Sequence, residues 1–499
     1  MARRAQETFL GLDMGTSSVK ALLVDFEQRV LAEASVPLSV SRPHPLWSEQ
    51  NPSDWVEGVE AAVAAVRRQA RSEFAKLSGV GLSGHMHGAT LLDADDKPLR
   101  PAILWNDGRS FAECAELKRR VPDLEQRTGN LAMPGFTAPK MLWVATHEPG
   151  IAKATKRVLL PKDYVRLRLS GEAVSEMSDA SGTLWLDVGR RRWDETLLAA
   201  TGLTEKAMPR LVEGSEVSAY LAPEIAVAWG LEGRTVPIAG GGGDNAASAI
   251  GVGATAPGSG FVSLGTSGVI FSVTDRFVSL PERTLHAFCH ALPNRWHGMA
   301  VMLSAASSLA WVAGVLGRED DIGGLIAGAD SFARSPTAVA SAPIFLPYLS
   351  GERTPHNDAA ATATFTGLRA GHDADALVFA VMEGVAFSFA DGVDVLDAAG
   401  ARPVRPLLVG GGARSEFWAQ MIADVTGLTI DLASGAEAGA ALGAARLGML
   451  AAGAGSVEAV CPRPPIQREF KPDPNRAAVY APRLKRYRAL YQAEKATRA

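Results

Sequence analysis

Four glycines run into a carboxylate and an amide in the stretch AGGGGDNAASAI (239–250). Glycine lets a backbone approach a ligand closely and costs stability where nothing needs that approach. The small residues after Asp244 predict a helix, whose first turn offers free N–H groups and favours negative charge. Asp244 is therefore either a plain helix cap, the commonest role of an aspartate in such a place, or a carboxylate facing a bound ligand. The helix end behind it predicts that it stays ionised at neutral pH.

Two further stretches echo each other. FLGLDMGTSSVKALLV (9–24) and FVSLGTSGVIFSV (261–273) align on Gly15-Thr16-Ser17 and Gly265-Thr266-Ser267, half a chain apart, with Met14 on Leu264 and Val19 on Val269. Each copy reads as a β-hairpin, an apolar strand on either side of a tight turn. Backbone amides of such turns, with Thr and Ser hydroxyls, suit phosphate oxygens. One Gly-Thr-Ser turn alone is most often a plain hairpin. One per half-chain, facing across a cleft, would grip successive phosphates of a nucleotide. This is neither a Walker loop nor a dinucleotide fingerprint, since neither spacing occurs. Asp13, beside the first turn, is placed either to cap it or to hold a hydrated Mg²⁺. VGGGAR (409–414) is either a strand-to-helix turn or bare backbone on which adenosine lies flat.

Other candidates sit in the first half. GHMHG (84–88) puts His85 and His87 two apart, on one face of an expected strand. With no further Cys/His cluster, hydrogen bonding to a hydroxylated ligand is favoured over metal binding. In WNDGR (105–109), Trp105 either stacks on a small ligand or fills core, and Asn106 or Asp107 is expected to cap the helix that follows. The Pro-rich loop SRPHPLWSEQNPSDW (41–55) is a further candidate ligand contact.

These groups need positioning elements. An amphipathic helix is expected over 53–72, capped by Ser53 or Asp54, and two strands around a turn over 79–92. In the second half, 406–413 reads as a buried strand and 414–427 as a helix. The Ala/Gly-rich helix 436–450 is expected to pack closely on that glycine strand. The tail, 474–498, reads as a docking helix with Tyr480, Leu484, Tyr487 and Tyr491 on one stripe and a solvated basic face opposite. Gly and Pro cluster at 252–258, which predicts two lobes, 1–252 and 253–499.

The 499 residues suffice for two or three domains, and 47% hydrophobic with 21% charged residues is a globular composition. A net charge of −4 gives no reason to expect nucleic acid, and three scattered cysteines form neither a disulfide framework nor a zinc site. Neither a signal peptide nor a membrane span is legible, so a cytoplasmic enzyme, monomer or homodimer, is expected.

LDMGTSSVK, GHMHGATLLD, RPAILWNDGR, TGNLAMPGFTAPKMLW, GGGDNAA, SLGTSGV, FLPYLSGERTPHND and VGGGARSEFW together resemble the FGGY carbohydrate kinases. GFTAPKMLWVATH (135–147) is similar to the first family signature. ATFTGL (363–368) with the later LVFAVME is similar to the second, apart from Ala376, where a polar residue is usual. The resemblance implies an α/β fold of two ribonuclease-H-like lobes of the actin/hexokinase/Hsp70 type, with ATP and sugar in the cleft. It implies Asp244 as catalytic base, and Met86 and His87 as contacts to a ketose, D-xylulose, phosphorylated on its 5-hydroxyl. Asn245 and the corner Trp105, Asn106 and Asp107 would lie near the sugar. Asp13, Thr16 and Ser17 would meet the outer phosphates and Mg²⁺, with Asp244 also reaching the metal through water. Gly265 and Thr266 would meet the phosphates from the second lobe, and Gly411, Gly412 and Ala413 would receive adenosine. Two alternatives stand beside this one: a kinase of another ketose or polyol, such as ribulose, fuculose or glycerol, and an actin- or Hsp70-like ATPase switch.

Overall fold

The structure, a computed structural model, describes residues 6–434 and 439–498. The first half opens with strands β1 (Thr8–Met14), β2 (Ser18–Asp25) and β3 (Val30–Pro37), followed by helix α1 (Pro52–Gln69) and strand β4 (Leu77–Gly84). After helices α2 (Thr137–His147) and α3 (Pro161–Ser170) come β5 (Val217–Tyr220), β6 (Pro237–Ala239) and helix α4 (Asp244–Gly251). The strands form one sheet in the order β5-β6-β4-β1-β2-β3, and Gly242–Gly243 also pair with β4. β1, β2 and β3 are antiparallel neighbours, whereas β4 runs parallel to β1, and β6 parallel to β4.

The second half repeats this plan. β7 (Gly260–Leu264), β8 (Gly268–Thr274), β9 (His286–Cys289) and β10 (Trp296–Met302) precede the long helix α5 (Ala374–Ala398). β11 (Leu407–Val409), α6 (Glu416–Thr426), β12 (Ile430–Ala433), α7 (Gly439–Ala451), β13 (Ile466–Phe470) and α8 (Pro474–Arg498) complete it. The sheet order is β9-β10-β8-β7-β11-β12-β13, with β7–β8–β10 antiparallel and β7–β11–β12 parallel. The two Gly-Thr-Ser turns stand at equivalent places, between β1 and β2 and between β7 and β8, so the sequence echo is an architectural repeat. α5 is long and apolar enough to cross a membrane, but 94% of its apolar window is buried. It is the central core helix of the second sheet, packed with Phe345, Trp418 and Tyr487.

Several local expectations are corrected. α1 starts at Pro52 and is capped by Asn51, whose side chain accepts from the Ser53 N–H, not by Ser53 or Asp54. His85 and His87 lie past the end of β4, and His87 adopts a left-handed φ of 70°. The helix after WNDGR begins at Phe111 with Ser110 at its cap, not Asn106 or Asp107. The tail helix docks through Tyr480, Tyr487 and Tyr491, but its basic residues are not all solvated. Arg483 is buried against Glu383 at 2.5 Å, Arg488 meets Asp391 at 2.7 Å, and Arg498 meets Asp358 at 2.7 Å.

The largest correction concerns α7, whose expected first residues 436–438 lie outside the described ones. It packs not on the 406–413 strand but on β1 and β4 of the first sheet and on α4. A β-carbon at Gly11 would lie 1.9 Å from the Ala441 carbonyl oxygen, and one at Gly81 1.7 Å from that of Ala444. On the helix, a β-carbon at Gly443 would lie 1.7 Å from the Ala247 carbonyl oxygen of α4. The small residues thus bring helix and strand backbones into direct contact across the two halves.

Gly81→Ala is expected to force α7 off the sheet. Overpacking of this kind costs typically about 1–3 kcal/mol, which thermal unfolding registers as a clear fall in Tm. An unchanged Tm would show that the interface has slack that the geometry denies.

Candidate active site

Strand register sets the floor of the cleft. Asp13, next to last in β1, lies opposite Ser83 of β4, and Ser83 is in turn opposite Gly242. Asp13 and the start of α4 therefore flank one strand, about 10 Å apart by two strand spacings. The Ser83 hydroxyl donates to Asp13 Oδ1 at 2.9 Å. Burial is the main influence on Asp13 and raises its pKa, with Ser83 and Lys20 opposing it. Asp244 is the first residue of α4, after Gly243. Its Oδ1 accepts from the Asn245 backbone N–H at 2.7 Å and from Asn245 Nδ2 at 3.1 Å. The carboxylate keeps some solvent access, yet its surroundings at the cleft floor are protein. That desolvation pushes its pKa up to about 6, with the charge of Asp13 adding to the rise and Asn245 opposing it. The expected direction, a helix end holding the group down, is overridden by burial, although a pKa of about 6 still leaves it mostly ionised at neutral pH.

The first turn is held from three sides. Trp105 Nε1 donates to the Thr16 hydroxyl at 2.9 Å, Gln50 Nε2 to the Thr16 carbonyl at 2.7 Å, and the Leu38 N–H to the Ser17 carbonyl at 2.8 Å. Thr16 Oγ1 accepts from Trp105 and so keeps its own proton to donate. Trp105, 43% exposed, stands at the rim beside this turn, and Asn106 is exposed next to it. Asp107 is placed differently from the expectation of a ligand contact. It is fully buried and accepts from the Ser48 N–H at 2.6 Å, the Arg109 N–H at 2.9 Å and the Arg109 guanidinium at 2.7 Å. Its oxygens are taken up in holding Arg109 over the Trp47 ring, 3.6 Å from its centroid.

Met86 packs on the glycine run, where a β-carbon at Gly243 would lie 2.8 Å from its side chain. His87 Nδ1 meets the Gly182 carbonyl at 2.6 Å, and its ring lies 4.5 Å from Phe136 and 6.4 Å from Phe288 of β9. The left-handed backbone at His87 is pinned by Lys140, whose buried Nζ donates to the His87 carbonyl at 2.8 Å and the Gly135 carbonyl at 2.7 Å. Burial holds Lys140 well below the ordinary lysine pKa and brings His87 down to about 3, so His87 is neutral. His85 points into the core instead, edge-on to Trp55, and burial lowers it to about 3 as well.

From the second half, the Gly265-Thr266-Ser267 turn leaves Thr266 and Ser267 exposed to the cleft, while Ser307 and Ala305 hold the Thr266 carbonyl at 2.8 and 3.0 Å. A cavity of about 370 Å³ lies beside it, lined by Asn245, Ser248, Ser263, Gly410, Gly411 and Arg414 among others. Nothing lies within 4 Å of a β-carbon built at Gly411, so this backbone faces open space, whereas Gly412 packs on Leu264. Ala413 does not reach the cavity; its methyl is buried in the second core. Asn245 lines this cavity as well as bonding Asp244. Sequence reasoning missed Ser248, Ser263 and Arg414. The first is one helical turn after Asp244, the second alternates along β7, and the third directly follows the quoted glycines. Phe136 and Phe288 had no local signal.

Residues 8–251 match the N-terminal domain of the FGGY family of carbohydrate kinases, and residues 260–452 match its C-terminal domain. The chain is 50% identical to the xylulose kinase of Escherichia coli (strain K12), over 97% of this chain and 98% of that one. Among solved structures it is similar to a xyloylose kinase from Brucella ovis, at 48% identity and TM-score 0.94, covering 98% of this chain and 100% of that one. It is also similar to the xylulose kinase of Rhodospirillum rubrum, at 32% identity and TM-score 0.89, covering 97% and 98%.

The raised Asp244 carboxyl has a stability consequence. Its ordinary pKa is 3.8 and its folded value about 6, so the folded chain holds that proton more tightly than the unfolded one. The stabilisation is full below about pH 4 and lost above about pH 6. Ionised Asp244 therefore costs stability at pH 8, and Asp244→Asn is expected to raise Tm there, with the gain shrinking towards pH 4. Calorimetry at both pH values checks this; a lower Tm for Asp244→Asn at pH 8 contradicts it.

Proposed function

The chain belongs to the FGGY family of carbohydrate kinases, and from that premise we propose that it phosphorylates D-xylulose on its 5-hydroxyl with ATP, yielding D-xylulose 5-phosphate and ADP. Half-identity to a xylulose kinase over nearly the whole chain supports the sugar. The observation that carries the chemistry is Asp244, a raised carboxylate between the Met86–His87 corner and the cavity at Gly411.

The sugar lies against Met86 and His87, with Trp105 and Asn106 at the rim, and adenosine lies on the open backbone of Gly410 and Gly411. The phosphates run between the Thr16-Ser17 and Gly265-Thr266 turns. Asp244 accepts the 5-hydroxyl proton as that oxygen attacks the γ-phosphorus in line and the β–γ bridging bond breaks. Positioning and charge neutralisation lower most of the barrier in such transfers. Asp13 and Asp244 fit a hydrated Mg²⁺, because each is an oxygen donor with no salt-bridge partner among the described residues, and Mg²⁺ takes one or two carboxylates beside waters and phosphate oxygens. Bound there, Mg²⁺ would neutralise phosphate charge.

Residues 1–252 and 253–499 are the two functional lobes in this reading, with α7 of the second seated on the sheet of the first. A cytoplasmic location follows from the metabolic role.

Asp244→Ala is expected to lower kcat by at least the 10²–10⁴-fold of general-base help while ATP still binds. The wild-type kcat/KM profile is expected to fall below about pH 6, where Asp244 takes up its proton. D-xylulose should stimulate ATP turnover strongly and glycerol should not. A folded Asp244→Ala protein with near-normal kcat refutes the base, equal turnover with glycerol refutes the sugar, and sugar-independent ATP hydrolysis favours the ATPase-switch reading.

A further inference from the structure

We propose that Ser178, Glu176 and Arg166 are positioning residues that fix the glycine run carrying Asp244; the proposal rests on the reading of Asp244 as the base. Four successive glycines have more backbone freedom to lose than any other sequence, and Gly241 adopts φ +84°. Something must hold such a run if the carboxylate at its end is to stay in line with a hydroxyl. Both ends are held from the same buried cluster. At the first, Arg166 of α3 donates to the Gly240 carbonyl, to the Val174 carbonyl at 2.5 Å and to Asp163 at 2.7 Å. At the last, the Gly243 N–H donates to the Ser178 hydroxyl oxygen at 3.1 Å, one residue before Asp244.

Ser178 is itself fixed. Its hydroxyl donates to Glu176 Oε1 at 2.9 Å and its N–H to Glu176 Oε2 at 2.7 Å, while the Asp179 N–H also donates to Glu176, at 2.9 Å. Lys162 ties the carboxylates together, with Nζ 2.7 Å from Asp163, 3.0 Å from Asp179 and 3.4 Å from Glu176. All five charged side chains are fully buried. Buried ion clusters are poor stabilisers compared with apolar packing, because desolvation offsets their attraction. Stability therefore does not explain five ionisable groups placed beneath a glycine loop, and directional hold on its two ends does. Through the Gly243 N–H, the chain of donors sets the angle at which α4 begins, and so where the Asp244 carboxylate points.

The experiment compares Ser178→Ala, Ser178→Thr and Asp244→Ala, with kcat expressed per nucleotide-binding site so that only folded molecules count. Ser178→Ala removes the acceptor for the Gly243 N–H. It is expected to lower kcat about 10- to 100-fold, the scale of a misplacement of about 1 Å, with KM for D-xylulose within about twofold of wild type. Ser178→Thr keeps the hydroxyl and is expected to restore most of kcat. If Asp244→Ala is inactive but Ser178→Ala keeps kcat within about twofold, the positioning role alone is overturned. It is overturned as well if the loss in Ser178→Ala vanishes once counted per binding site, or if Ser178→Thr fails to restore it. An active Asp244→Ala protein instead overturns the base reading and this proposal with it.

Discussion

The carbonyl oxygen of Ala444 lies 1.7 Å from where a β-carbon at position 81 would be. That contact between two backbones is the constraint on which the site depends. Gly11, Gly79 and Gly81 clear the face of β1 and β4, and Gly443 and Gly448 clear the helix, so α7 from the second half of the chain lies directly on the first sheet. The same helix presses on α4, with Gly443 against Ala247 and Gly251 against Gly439. α4 starts at Asp244, and Gly439, where α7 starts, lines the cavity with Gly411. Two small-residue helices therefore set the distance between the carboxylate and the wall where a nucleotide would rest. Larger residues would bury more apolar surface here and would move one half of the site away from the other.

Electrostatics at the floor of the cleft follow from burial rather than from the helix. A helix N-terminus offers an anion typically about 0.3–1 kcal/mol, while each unit of pKa shift corresponds to about 1.4 kcal/mol. A rise from 3.8 to about 6 exceeds what the helix end can offset. Asp13, on the far side of β4, is raised too, and its charge adds to the rise at Asp244. In the proposed mechanism, one of these two carboxylates would take up a hydroxyl proton, and their ionised forms would hold the cation. Lys140 and His87 show the same physics with the opposite sign: burial lowers the pKa of both, keeps the imidazole neutral, and leaves the Lys140 amino group to pin a left-handed backbone through two carbonyls.

Local patterns carried the parts of the fold that need only neighbouring residues. The repeated strand–turn–strand of Gly15-Thr16-Ser17 and Gly265-Thr266-Ser267 was legible because a hairpin is closed by its own sequence, and it disclosed the two-lobe plan. The glycine run before a small-residue helix singled out Asp244 as either a helix cap or a ligand-facing carboxylate, and the family resemblance supplied the second reading. The family motifs pointed to Met86 and His87 as the proposed sugar corner. Spatial partners were not legible. Asp107, which the family resemblance placed near the sugar, accepts from Ser48, 59 residues earlier, and from Arg109. Ala413 shares the glycine motif of Gly411, but its methyl is turned into the core. The helix of 436–450 was recognisable as a close-packing helix, yet its partner was not.

By itself, then, the sequence determined the repeated strand–turn–strand units and the glycine run that leads into a helix at Asp244, since hydrogen-bond periodicity and glycine's lack of a side chain act over a few residues. Tertiary structure alone decided that α7 rests on the other half's sheet, that Asp107 is spent on Arg109, and that Asp244 is raised rather than lowered. Each of these is a sum over groups brought together from distant positions. Close packing and desolvation depend on what surrounds an atom in space, and that is absent from the order of residues along the chain.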